Sequence, residues 1–433
     1  MSPEIVSLLV LVVMFVLATW RGVNMGLLGL LGAVAFGCGM LGMDLETALA
    51  GFPVDMFVSL VGLTFLFGFA QNNGAIDVLV HWCLRLCAGR AAFAPWVFFL
   101  LTAVLIALGA LFAVAIIAPL ALRFARRNGL NVFMTGLLVV HGALAGAFSP
   151  LSVYGIFIAD FMGRNDFTAD PWSLFLAPFV FNLVFVVVVF LFMRRRPGPG
   201  AESVAPALPG GGADASVRGA SAGGVAAPEE TEVRVDARQL FTLVVLAVFA
   251  LGVVAFGLDV GILAIGLGVV LALVEPAAGA RALGKVSWSV VVLICGVLTY
   301  IHVLEEAGTV DWVSAGISSI GVPLLAALLL FYMSGLVSAL ASSLGIIGVV
   351  IALAGPFLAS GEVHVAGFVA ALAIAATIVD ISPFSTNGAM LLANVDEDVR
   401  GTYYRGMLQY AGVMCALGPG LAWLVVAVPT WLG

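Results

Sequence analysis

The sequence predicts an all-α polytopic membrane protein of two inverted repeats, each with five spans, one re-entrant helical hairpin and one broken helix. Three observations predict it. Apolar residues make up 63% of the 433-residue chain and charged residues 9%, at a mean hydropathy of +1.20, and apolar runs of spanning length recur throughout. Basic residues sort between the loops in a way that fixes one orientation. Short motifs of the first half return in the second at a nearly constant spacing.

Taken in order, the apolar runs lie at 3–20, 24–42, 54–71, 132–160 and 172–193, then at 240–257, 260–275, 287–304, 365–395 and 405–430. Glu4 stands where a signal peptide would carry basic residues, so the first run reads as a retained helix. The block 92–124 is too short for two spans of roughly 20 residues each. It reads as a hairpin returning to its own side, and 322–360 is read the same way. Segments 75–88 and 309–320 carry charge on one face and read as interfacial arms, with Asp77 and Asp311 complementing the dipole near their N-termini. Residues 194–238, rich in Pro, Gly, Ala and Ser, offer nothing to pack and predict a disordered linker between a first repeat (1–193) and a second (239–433). Five cysteines, Cys38, Cys83, Cys87, Cys295 and Cys415, show no metal or redox spacing and read as small apolar side chains.

With the N-terminus outside, every Lys and Arg of the 17 except Arg164 faces the cytoplasm. This agrees with the positive-inside rule and puts the linker in the cytoplasm and the C-terminus outside, in a bacterial-type inner (plasma) membrane.

"NGAIDVLV" (73–80) parallels "AGTVDWVS" (307–314), and "FSPLSVYGI" (148–156) parallels "ISPFSTNGA" (381–389). Pro119 and Pro356 of the hairpins also correspond, and the three offsets are 234, 233 and 237. An odd number of crossings per half turns the second copy upside down, the construction of many secondary transporters.

The second motif carries the chemistry. Pro150 and Pro383 lack an amide proton and clash with the preceding turn, so each helix breaks nearby. Freed backbone groups in hydrocarbon cost several kcal/mol each unless they line a wet, protein-enclosed pocket. Ser149, Ser152 and Tyr154 surround the first break; Ser382, Ser385, Thr386 and Asn387 surround the second. Half-helix N-termini offer amides to an anion, while carbonyls and hydroxyls suit Na⁺. These breaks, with Pro150, Ser342 and Ser343, are the expected substrate contacts. Gly109, Ala110, Gly155, Ser338, Asp380, Ser382 and Gly388 are the expected cation contacts. Asp380 reads either as a cation or proton ligand or as a cap on exposed amides, and His141 as a packed histidine rather than a proton relay.

"DISPFSTNGA" and "FSPLSVYG" resemble the broken-helix motifs of the ion-transporter superfamily, in its malonate and dicarboxylate carrier branch near the divalent-anion/sodium symporters. The resemblance implies a homodimer whose hairpins and broken helices move as an elevator against a scaffold. It also implies a dicarboxylate bound by neutral groups with Na⁺ at each half-site. It carries over to Ser149, Pro150, Ser152 and Gly155, and to Ser382, Pro383, Ser385, Thr386, Asn387 and Gly388. The Ser-Asn-Thr signature of the symporter hairpin tips is missing, since Gly109, Ala110 and Leu111 stand in the first and Ser342, Ser343 and Leu344 in the second.

The expected function is sodium-coupled uptake of malonate or a C4 dicarboxylate, with a cation/proton antiporter or oxyanion extruder as the alternative. No organic cofactor and no nucleic-acid partner are expected, only substrate, membrane lipid and a second copy. An enzyme is disfavoured, because no paired catalytic acids, histidine metal cluster or Ser with a His or Lys base is visible.

Overall fold

Polar side chains mark where many of the helices start. Asn24, Asp44, Asn131, Asp170, Asp236, Asp259, His364 and Ser385 each accept a backbone amide at an N-cap, satisfying a donor that the helix itself leaves unpaired. The computed structural model describes residues 2–85, 91–164, 167, 170–194, 236–339 and 343–432, and the described residues are overwhelmingly helical. Among the described residues, six helices are long and apolar enough to cross a membrane: Pro3–Arg21, Val54–Asn72, Pro171–Met193, Ala237–Phe256, Trp288–Glu306 and Glu397–Trp431. The runs predicted at 24–42 and 260–275 form the shorter helices Met25–Met40 and Val260–Val274.

Both hairpin blocks are helix pairs. The first is Ala94–Ala107 and Ala113–Arg127, and the second is Pro323–Ser338 and Ser343–Leu353, continued by Gly355–Ala359. Helix is also interrupted between Val132–Gly146 and Val153–Arg164 and between Val365–Thr377 and Thr386–Ala393.

Three features differ from the sequence reading. The loop helices Leu45–Leu49 and Pro276–Leu283 are new, being too short for a hydropathy signal. The helix Ala237–Phe256 starts inside the segment assigned to the linker, because Asp236 and Gln239 form a capping box. The last helix starts at Glu397 rather than near 405, because its polar first turns pair with charge instead of lipid: Arg126 bridges Asp396 and lies 3.7 Å from Asp398. The rest of the linker, 195–235, lies outside the described residues.

The helices fall into two packed groups. In one, Met25–Met40 crosses Trp288–Glu306 and Val54–Asn72 crosses Val260–Val274. Both crossings run backbone to backbone: a Cβ at Gly296 would collide with the carbonyl of Gly26, and one at Gly62 with that of Gly261. In the other group, Val132–Gly146 packs on Ala94–Ala107 and Pro171–Met193, while Val365–Thr377 packs on Pro323–Ser338 and Glu397–Ala422. Pro171–Met193 also meets Val365–Thr377, which joins the two sets.

The first sequence motif has a plain cause. Gly74 and Gly308 adopt φ of 77° and 71°, left-handed values that let the chain leave a span and enter the short helices Ala75–Arg85 and Thr309–Ser318. Their amides return to Gln71 and Glu305, again 234 residues apart.

Candidate functional site

The two breaks share one hydrogen-bond pattern at an offset of 233 residues. Ser152 Oγ donates to the carbonyls of Ala147 and, at 2.7 Å, Ser149; Ser385 Oγ donates to those of Asp380 at 2.5 Å and Ser382 at 2.7 Å. The same hydroxyls accept from the amides of Gly155 at 3.0 Å and Gly388 at 3.2 Å. Ser149 Oγ accepts from Leu151 N and Ser382 Oγ from Phe384 N, both at 3.3 Å. Even the caps upstream correspond, Asn131 accepting from Met134 N and His364 from Gly367 N. A Cβ at Gly155 or Gly388 would overlap the carbonyl of Ser149 or Ser382, which explains the glycine in each motif.

One cavity of about 400 Å³ receives both breaks. Ser152, Val153 and Tyr154 reach it from the first and Asp380, Thr386 and Asn387 from the second. Gly109 and Ser343 come from the hairpin tips, and Asn24 and Ser289 from the other helix group. Val153, Tyr154, Thr386 and Asn387 are the first two residues of their helices, and their amides have no hydrogen-bond partner among the described residues. Two half-helix N-termini therefore present free amides and partial positive charge to one space, an arrangement suited to anionic oxygens.

Asp380 is the one charged residue lining that space among the described residues. It is 5% exposed, and Ser343 Oγ donates to its Oδ1 at 2.6 Å. Ser338 Oγ donates in turn to Ser343 Oγ at 2.7 Å, and the Tyr154 hydroxyl faces Ser343 and Asp380 from the first break. Among the described residues, no Lys, Arg or His lines the cavity. A carboxylate with two hydroxyls is a donor set for a hard monovalent cation. Among the described residues no group of three or more His, Cys, Asp or Glu stands together.

The other residues singled out in the sequence lie as follows. Pro150 and Gly155 line a separate, largely apolar cavity with Phe148 and Ile158. Ser149, Ser382 and Ser385 are buried and turned to the backbone of their own breaks. Ala110 is buried within the first tip, Gly388 is packed against Ser382, and Ser342 lies outside the described residues. His141 is fully buried, with Nδ1 2.9 Å from Asn182 Oδ1 and Nε2 2.7 Å from the Tyr410 hydroxyl. Because Asn182 Nδ2 donates to the Pro178 carbonyl, Asn182 Oδ1 accepts from Nδ1–H, and Nε2 accepts from Tyr410. Asn24, Ser289 and Thr377 also line the main cavity, and no local motif marked them; Phe384, which lines it too, lies within the second motif.

No curated protein matches the chain. Residues 1–147, ending at the first break, match the family model described as the dicarboxylate carrier protein MatC N-terminus. That match supports a dicarboxylate carrier family for this chain, and with it a multi-pass membrane transporter rather than an enzyme.

Proposed function

We propose that the chain is a secondary active transporter that takes up a small dicarboxylate, malonate or a C4 acid, with sodium as the coupling ion. The observation that carries this reading is the pair of free helix N-termini lining one cavity. A ligand with an anionic group at each end matches two equivalent anion sites, and hydroxyls and Asn387 supply further neutral contacts. Malonate and succinate are small enough for about 400 Å³.

Coupling follows from charge. A dianion entering beside Asp380 meets a like charge with no cationic side chain among the described lining residues to offset it. Two unit charges about 4 Å apart repel by about 4 kcal/mol at the effective dielectric of a protein site. A cation on Asp380 removes that repulsion, so substrate and cation bind better together than apart.

In this reading the two halves are inverted repeats. The paired crossings Gly26–Gly296 and Gly261–Gly62, the glycine turns and the matching breaks support it. The group built from Met25–Met40, Val54–Asn72, Val260–Val274 and Trp288–Glu306 is the scaffold of a homodimer, and the hairpins and broken helices ride against it as an elevator. Thr19, Asn24 and Ser289 lie on the side assigned to the cytoplasm by charge, so the cavity opens inward.

The test is a thermal-shift titration of the purified protein with malonate and succinate in sodium or choline chloride. Both acids are expected to raise the melting temperature, more so with sodium, since a ligand that binds only the native state stabilises it. Protection by neither acid would overturn the dicarboxylate reading. An exchanger of protons or oxyanions would show no dicarboxylate response and would lose transport on Asp380→Asn.

A further inference from the structure

We infer that the carrier has a single coupling-cation site, on the Asp380 side of the cavity, and that the first break holds substrate without a cation of its own. This rests on the cation-coupled dicarboxylate reading and departs from the arrangement of one sodium per half-site.

The departure comes from comparing equivalent positions. At the offset of 233 the backbone geometry of the two breaks agrees bond by bond, so the carbonyl oxygens on offer are equivalent. The side chains are not. Ala147 stands where the second half has Asp380, and Leu144 where it has Thr377. The first hairpin tip, Gly109 to Phe112, has no side-chain oxygen, whereas Ser338 and Ser343 flank the second. The hydroxyl of Ser152 is turned to its own backbone.

The need for a cation is just as unequal. Asp380 is buried, its carboxylate receives a single hydrogen bond from the described residues, and none of the described residues lining the cavity is cationic. A buried carboxylate in that state is unfavourable until a counter-charge arrives. The first break presents only neutral groups and two free amides, which favour an anion and repel a cation. One half therefore attracts a cation and the other does not.

The charge carried per cycle follows. A dianion with one monovalent cation moves one net negative charge inward, so an inside-positive potential speeds uptake. Three cations would give the opposite sign.

The experiment titrates purified full-length protein with sodium chloride at constant ionic strength, balanced with choline, in fixed malonate, and follows thermal stability. The expected response has a Hill slope of one. Asp380→Asn abolishes the sodium response, and Ser343→Ala raises the sodium midpoint by about tenfold, the loss expected for one ligand contact. A slope of two or more, or a sodium response that survives in a folded Asp380→Asn protein, overturns the inference. So does a protein that malonate stabilises and sodium does not touch, although the dicarboxylate reading then stands. If neither ligand stabilises it, both fall. Should Asp380→Asn not fold, the wild-type slope and Ser343→Ala still decide.

Discussion

Ser343 donates a 2.6 Å hydrogen bond to Asp380 across 37 residues of sequence, tying the second hairpin tip to the second helix break. Hydrogen bonds to a charged group contribute about 1.5–3 kcal/mol, and losing one leaves the buried carboxylate less satisfied. Ser343→Ala is therefore expected to destabilise the protein by about 2 kcal/mol and to loosen the tip. Asp380→Asn keeps an oxygen for Ser343 but removes the charge, and is expected to cost less stability while ending sodium stimulation of uptake. Melting curves with vesicle uptake on both variants separate the two roles; equal effects on both readouts would contradict the separation.

Gly155 and Gly388 answer to the same constraint. A methyl group at either would overlap a carbonyl of its own break, Ser149 or Ser382, and neither carbonyl can retreat because the following serine holds it. Overpacking of this kind costs about 1–3 kcal/mol. Gly155→Ala and Gly388→Ala are expected to lose that much stability and most uptake. Gly163→Ala, with nothing within 4 Å of its added methyl, is expected to be silent. Size-exclusion profiles and uptake of the three proteins check the contrast.

The helix interruptions after Gly146 and Thr377 were legible in sequence because their causes are local. Pro150 and Pro383 interrupt apolar runs, and serines and glycines at fixed spacing name the turn that follows. The motif at Gly74 and Gly308 was legible for the same reason, a left-handed residue at each turn. What could not be read was which hydroxyls are free. Ser149, Ser382 and Ser385 look like ligands in a motif, yet in the fold they bond the backbone that Pro150 and Pro383 disturb. Asn24 and Ser289 stayed hidden because only the crossing of Met25–Met40 over Trp288–Glu306 brings them together, Asn24 Nδ2 donating to the Ser289 carbonyl at 2.7 Å. The start of the last helix was missed because hydropathy does not register a polar first turn that is held by Arg126.

His141 joins Pro171–Met193 to Glu397–Ala422 through Asn182 and Tyr410, and both ring nitrogens are engaged. A relay histidine would need one nitrogen facing water or substrate, and His141 does not line the cavity. His141→Ala leaves a void and two unpaired polar groups, with an expected loss of about 3 kcal/mol or more. Tyr410→Phe removes one hydrogen bond and is expected to cost about 1 kcal/mol. The pH profile of uptake between about 5.5 and 8, the range in which histidine titrates, is expected to keep its shape in Tyr410→Phe. A displaced profile would make His141 a proton carrier.

The side on which the cavity opens can be tested at Asn24 and Ser289, which line its mouth next to Arg21. In the proposed topology, positive charge puts that loop in the cytoplasm. In a variant with its five cysteines replaced, a cysteine at Asn24 is expected to react with a membrane-impermeant maleimide in inside-out vesicles and to resist it in right-side-out vesicles. Malonate with sodium is expected to slow the reaction severalfold, because in the proposed elevator a filled cavity lets the hairpin group leave the inward position and carries Ser343 and Asp380 away from Asn24. Labelling that is fast from the outside would reverse the topology. Labelling from the inside that is indifferent to ligand would leave the orientation in place and remove the elevator, since the pocket would then fill without its walls parting.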